Sequence, residues 1–156
     1  VQNIIITGVD GSETATKAAE VAASLATDLN CDLHVISASD PKQISSPRMG
    51  RLAGDPTALV EMTTYQKEID DHNRATQQTA DAVAEILRQK FPDLNITSKG
   101  IHKSPADALI EEAQKLDARF VVVGNKHVQG ARRMLGSVAT AVARHITTDL
   151  YIAHTR

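Results

Sequence analysis

Between residues 124 and 137 the sequence gathers groups that suit an anion. Gly124, Gly130 and Gly136 punctuate a loop that also carries Lys126, His127, Arg132 and Arg133, and the loop ends on Ser137 and Val138. The β-branched run Val121-Val122-Val123 precedes it, and the helix-like stretch Val138-Ala139-Thr140-Ala141-Val142-Ala143 follows. A strand, a loop of backbone amides and a helix start form a cradle for phosphate. The first amides of a helix have no internal partner, and the helix dipole favours negative charge there. Ser137 adds a hydroxyl at that start, where an ordinary N-cap would also place one. The cations Lys126, Arg132 and Arg133 read equally well as phosphate-screening or as solvated charge. Asp10, at the end of the first apolar run, reads as an acceptor for a ribose or adenine group, or as a partner of turn amides.

Other chemistries lack their residues. There is no Gly-Lys pair for an NTPase phosphate loop, no Gly-x-Gly-x-x-Gly after the first strand and no Gly-x-Ser-x-Gly elbow. The six histidines and the lone Cys31 show no metal-ligand spacing. Acidic pairs such as Asp70-Asp71 and Glu111-Glu112 lie on helical patterns and read as solvated faces. His34 reads as structural within a strand, and His72 as core or interface on a long helix.

Elements must hold these groups together. Asn3 to Val9 is a short apolar run without alternation, as in a strand buried on both faces. Ser12 caps the next helix, whose face is Ala15, Ala18, Ala19, Ala22, Leu25, Ala26 and Leu29, and Asn30 stops it. Leu33 to Ser37 is a second strand, and residues 38–56 form a proline- and glycine-rich loop. A helical pattern from Thr57 to Phe91 carries Leu59, Met62, Ile69, His72, Thr76, Ala80, Val83, Ile86 and Leu87. Leu94 to Gly100 is a third, more polar strand suited to an edge. Ser104 and Pro105 open another helix. Phe120 to Val123 is the fourth strand, the helix from Ser137 runs to about Ile146, and Leu150 to Ala153 is the fifth. Strands alternating with helices imply a three-layer α/β sandwich with a mostly parallel sheet, whose ligand lies beyond the carboxyl ends of the strands.

Composition is consistent with that architecture. A chain of 156 residues with 3% aromatics and no Trp must build its core from Ala, Val, Ile and Leu. Residues 1–156 read as one domain, with no linker or repeat. A net charge of −2 gives no general attraction for nucleic acid or an acidic membrane. One cysteine and no signal-like opening lead to the expectation of a reducing cytoplasm. No run approaches the roughly 20 apolar residues of a membrane span.

The sequence resembles the universal stress protein family. The resemblance rests on Ile6-Thr7-Gly8-Val9-Asp10-Gly11-Ser12, Leu33-His34-Val35-Ile36, Ser104-Pro105-Ala106-Asp107-Ala108-Leu109-Ile110, Ala118-Arg119-Phe120-Val121-Val122-Val123-Gly124-Asn125, Leu135-Gly136-Ser137-Val138 and Leu150-Tyr151-Ile152-Ala153-His154-Thr155. It implies the adenine nucleotide alpha hydrolase-like fold with strand order 3-2-1-4-5, and pairing of two copies through the last strand. It implies ATP or another adenine nucleotide (AMP or cyclic AMP) as ligand, with Mg2+ as a companion ion. Asp10 would then lie near the adenosine, the backbone at Val35 at the adenine edge, and Gly124, Asn125, Lys126, His127, Gly130, Arg132, Gly136, Ser137 and Val138 around the ribose and phosphates.

Two departures stand inside that loop. His127 occupies the place of the family's second glycine, and the interval from Gly124 to Gly136 is one residue short. A shortened loop fits a smaller phosphate load, such as a monophosphate or a cyclic nucleotide. The resemblance therefore implies a stress-response regulator that binds a nucleotide and acts through conformation or partners. The alternative is an interaction protein whose altered loop no longer accepts phosphate. A slow ATPase comes third, with His127 as the one candidate base.

Overall fold

In this computed structural model the structure describes residues 3–44, 54–125 and 135–155. Five strands, β1 (Ile4–Val9), β2 (Asp32–Ala38), β3 (Ile96–Ile101), β4 (Phe120–Gly124) and β5 (Asp149–Ala153), form one sheet in the order β3-β2-β1-β4-β5. Every pairing is parallel, with Ile5 opposite Leu33 and Phe120, and Phe120 opposite Asp149. The connections are α1 (Glu13–Asp28), α2 (Pro56–Lys90), α3 (Pro105–Lys115) and α4 (Ser137–His145).

Parallel strands covered on both sides must be apolar at consecutive positions. Ile5, Leu33, Val35, Ile96 and Val122 face α1 and α2, where Ala18, Ala19, Ala22, Ala23, Ala26, Val83, Ala84 and Leu87 close the first core. Ile6, Ile36, Val121 and Val123 face the other way, against Leu109, Ala113, Ala139 and Val142 of α3 and α4. Each fully buried Ile or Leu contributes roughly 1.5–3 kcal/mol. The alanine stripe of α1 lets that helix lie close to the strands.

Glycine permits two further close approaches. A Cβ at Gly100 would stand 2.7 Å from the backbone nitrogen of Gln77, so α2 can rest on β3 only because Gly100 has none. A Cβ at Gly8 would press on Leu109 at 3.2 Å, which fixes α3 against β1.

Local signals set the boundaries. The Ser12 hydroxyl accepts from the Ala15 amide at 3.2 Å and caps α1. Asn30 takes the left-handed conformation (φ 53) just beyond that helix. Ser104 caps α3, with Pro105 at its first position. The long helical pattern is one helix of 35 residues, capped by Asp55, but its apolar stripe is not buried throughout. Burial runs from Thr76 to Leu87, whereas Leu59 and Met62 are 71% and 64% exposed because that end extends past the sheet.

One buried polar cluster corrects the sequence reading. Glu112 is not on a solvated face. It is 7% exposed, and Lys99 Nζ donates to its two oxygens at 3.0 and 3.2 Å. His34 lies beside it, with Nδ1 2.6 Å from Thr97 Oγ1 and Nε2 3.6 Å from Glu112 Oε1. Burial pushes the His34 pKa below its ordinary value, against the opposing pull of the Glu112 charge. The pairing joins β2, β3 and α3, which periodicity along a single helix could not reveal.

Candidate functional site

The starts of α1, α3 and α4 stand at the carboxyl edge of the sheet, as expected of helices that follow parallel strands. A cleft opens there between β1 and β4, where strand order reverses, which is where ligands of such sheets bind. Ile36, Leu109, Val123 and Val138 give it an apolar lining, and Asp10, Ser12, Gly136 and Ser137 stand around it. Counted out to its open mouth, the cleft holds about 800 Å³ of empty space.

The first wall is the turn after β1. Asp10 is exposed and its Oδ1 accepts from the Ser12 amide at 2.9 Å, which fixes the carboxylate at the strand end. Gly11 takes φ +82 to turn the chain into α1. Ser12 Oγ, besides capping Ala15, lies 3.3 Å from Thr14 Oγ1. The turn's own side chains thus engage the Ser12 and Ala15 amides at this helix start.

The opposite wall is the start of α4. Gly136 occupies the N-cap with φ −59 and ψ 158, and among the described residues no side chain caps the helix. Its carbonyl accepts from Thr140 N at 2.9 Å, which closes the first helical turn. Ser137 is therefore the first helical residue and not the cap. Its exposed hydroxyl, half-buried Val138 and the leading amides of α4 stand at the cleft. Those amides have no intrahelical acceptor, and together with the dipole they attract negative charge.

Between the two walls, β4 ends at Gly124. A Cβ there would stand 3.3 Å from the Ala18 Cβ and 3.6 Å from the Thr14 carbonyl, so a bare backbone keeps β4 against α1. Asn125 continues the line: its amide donates to the Ala153 carbonyl at 2.9 Å, and its carbonyl accepts from Thr155 Oγ1 at 3.2 Å.

The structure thus gathers Asp10, Gly124, Gly136, Ser137 and Val138 about one cleft. Val35 is not among its lining residues. Its side chain is fully buried on the far face, and the neighbouring Ile36, with Ala38, reaches the cleft instead. Lys126, His127, Gly130 and Arg132 lie outside the described residues. Pro105, Leu109 and Ala38 also line the cleft, and motif reading had not singled them out for it. The signal that could have found them is topological, since every βα turn of a parallel sheet meets the same edge. Among the described residues no group of three or more His, Cys, Asp or Glu side chains is placed to hold a metal ion.

Comparison with known proteins converges on one family. The model of the universal stress protein family matches residues 3–154. A universal stress protein of Mycobacterium tuberculosis is 30% identical over 152 residues, spanning 97% of this chain and 95% of that protein. The universal stress protein YxiE of Bacillus subtilis is 23% identical over 155 residues, spanning 96% and 97% of the two chains. Among solved structures, a universal stress protein in complex with cAMP superposes with a TM-score of 0.64 at 24% identity, covering 99% of this chain and 98% of that one. A universal stress protein from Archaeoglobus fulgidus in complex with dAMP gives 0.61 at 19% identity, covering 97% of each. At these identities the two structures establish the fold.

Proposed function

Because the chain belongs to the universal stress protein family, we propose that it binds an adenine nucleotide in the cleft between Asp10 and the start of α4. The observation that carries this reading is the uncapped N-terminus of α4, held by Gly136 beside an apolar cleft. An adenine or ribose face suits the apolar lining, and a phosphate suits the open amides of Ser137 and Val138. Asp10 then accepts a hydrogen bond from the sugar or base. Solved relatives of the same fold carry cAMP and dAMP, which supports a nucleotide with a small phosphate load. ATP with Mg2+ is the larger ligand of the same class. Binding alters conformation or partners, and no fast turnover is assigned.

The assembly we propose is a homodimer paired through β5, where Tyr151 and Ile152 are 44% and 36% exposed on an edge strand. The proposed setting is the cytoplasm, without nucleic-acid or membrane partners. Among the described residues no helix is long and apolar enough to cross a bilayer.

Calorimetric titration with ATP, AMP and cyclic AMP tests the ligand. Saturable binding to the wild type, lost in Gly136→Val with the fold retained, is the expected result. Binding unchanged in that variant would move the site elsewhere. Tighter binding of ATP than of AMP or cyclic AMP would overturn the preference for a small phosphate load.

A further inference from the structure

The sheet has two edges, and they are finished differently. Along β3 the backbone groups alternate in direction. Leu33 N donates to the Asn95 carbonyl at 2.9 Å and Ser39 N to the Ile101 carbonyl at 3.1 Å, so the odd-numbered positions face β2. Ile96, Ser98 and Gly100 therefore turn their backbone groups outward, at the edge. Helix α2 meets all three positions. Arg88 Nη2 donates to the Ile96 carbonyl at 2.8 Å. Asp81 Oδ1 accepts from Ser98 Oγ at 2.6 Å. Gln77 Oε1 accepts from the Gly100 amide at 2.7 Å, while its Nε2 donates to Asp81 at 2.9 Å. Residues 77, 81 and 88 are spaced by four and seven, so they share one helix face.

β5 shows no such finish. Asn125 N donates to the Ala153 carbonyl, so Asp149, Tyr151 and Ala153 face β4, while Leu150 and Ile152 turn outward. Among the described residues nothing hydrogen-bonds those outward groups. An unpaired edge is a template for another strand. A sheet with one open edge pairs with a second copy and closes, whereas one with two open edges can continue head to tail.

We infer that Gln77, Asp81 and Arg88 form a clasp that seals β3 against a second copy of this chain, confining strand-to-strand association to β5. The inference builds on the β5 dimer proposed above. The clasp acts by occupying two backbone groups an incoming strand would use, the Ile96 carbonyl and the Gly100 amide, while Asp81 holds the Ser98 hydroxyl between them. Gly100 belongs to it, because only a bare α-carbon lets α2 come near enough for Gln77 to reach the edge.

Light scattering across a concentration series on the wild type, on the Gln77→Ala/Arg88→Ala variant and on Ile152→Lys tests this. The wild type is expected to hold at two chains. The clasp variant, with native circular dichroism, is expected to exceed that mass increasingly with concentration. A clasp variant whose mass matches the wild type at every concentration overturns the inference, since the bulk of α2 would then suffice. A wild type that is monomeric refutes the β5 dimer; a clasp variant that associates even so supports the clasp. Ile152→Lys separates the edges further: it is expected to yield monomers, and dimers that persist in it place the contact elsewhere and overturn confinement to β5. Amide exchange of Gly100 gives a readout that does not depend on assembly. Gln77→Leu is expected to accelerate it about tenfold relative to β2 amides, as loss of one hydrogen bond allows. An unchanged rate removes Gln77 from the clasp.

Discussion

Two helix starts face the same cleft and are finished in opposite ways. At α1 the Ser12 hydroxyl caps Ala15, Asp10 holds the Ser12 amide, and Glu13 places an acid in the first turn. At α4 a glycine stands at the cap, no side chain among the described residues caps the helix, and the first turn carries no acid. The first start carries a side-chain cap and an acid that disfavours an anion. The second is left for an outside acceptor. The comparison teaches that two helix starts at the same sheet edge can differ in how open they are to an anion, because their cap chemistry differs.

The comparison would be broken most directly by capping α4. Gly136→Asp at this ordinary N-cap backbone should reduce adenine-nucleotide affinity by about a hundredfold or more, close to 2.7 kcal/mol, because a carboxylate takes the amides and repels phosphate. Calorimetry reads the affinity, and a rise in melting temperature would accompany the loss. Retained affinity would show that these amides do not meet the ligand.

A smaller effect is expected at the other wall. Asp10→Ala should weaken nucleotide binding by about tenfold, near 1.4 kcal/mol, while freeing the Ser12 amide. Fluorescence titration with a labelled adenine nucleotide would check it, and an unchanged affinity would confine Asp10 to its turn. Ser12→Ala should cost about 1 kcal/mol of stability in urea unfolding by removing a cap, with little change in affinity. Affinity falling as far as in Gly136→Asp would mean that the two starts share one role.

Glu13 supplies the smallest effect. A hydrogen bond and the charge of Lys17, 2.9 Å away, hold its pKa below the ordinary 4.5. A carboxylate depressed in the folded state stabilises above its unfolded pKa, and that contribution disappears as pH falls through the folded value. Both groups are on the surface, so the effect is slight. Melting curves should place Glu13→Gln just below the wild type at neutral pH and merge with it toward about pH 3. A gap that widens in acid would reverse the sign.

Much of this was legible along the chain. Ser12, Ser104 and Asn30 mark helix ends by local chemistry, and the consecutive apolar residues of β1 and β4 announce strands buried on both faces. Leu94 to Gly100 read as a polar edge strand, and β3 is an edge. The strand order 3-2-1-4-5 followed from family resemblance and is the order found. Other features were hidden because they depend on residues distant in sequence. Glu112 looked solvated until Lys99 and His34 closed over it from neighbouring strands. Leu59 and Met62 kept the helical period of Leu87 but lie beyond the sheet that would bury them. Ser137 has the residue type of a cap, yet the backbone assigns that place to Gly136.

The sequence by itself determined the succession of strands and helices, the two apolar faces and the glycines at 100 and 124, because periodicity, capping and turn chemistry act over a few neighbouring residues. Only the tertiary structure decided which helix start remains open, which side chains close β3, and which buried charges find partners. Those outcomes turn on distances of about 3 Å between groups brought together by the crossovers, at the range where hydrogen bonds form or fail.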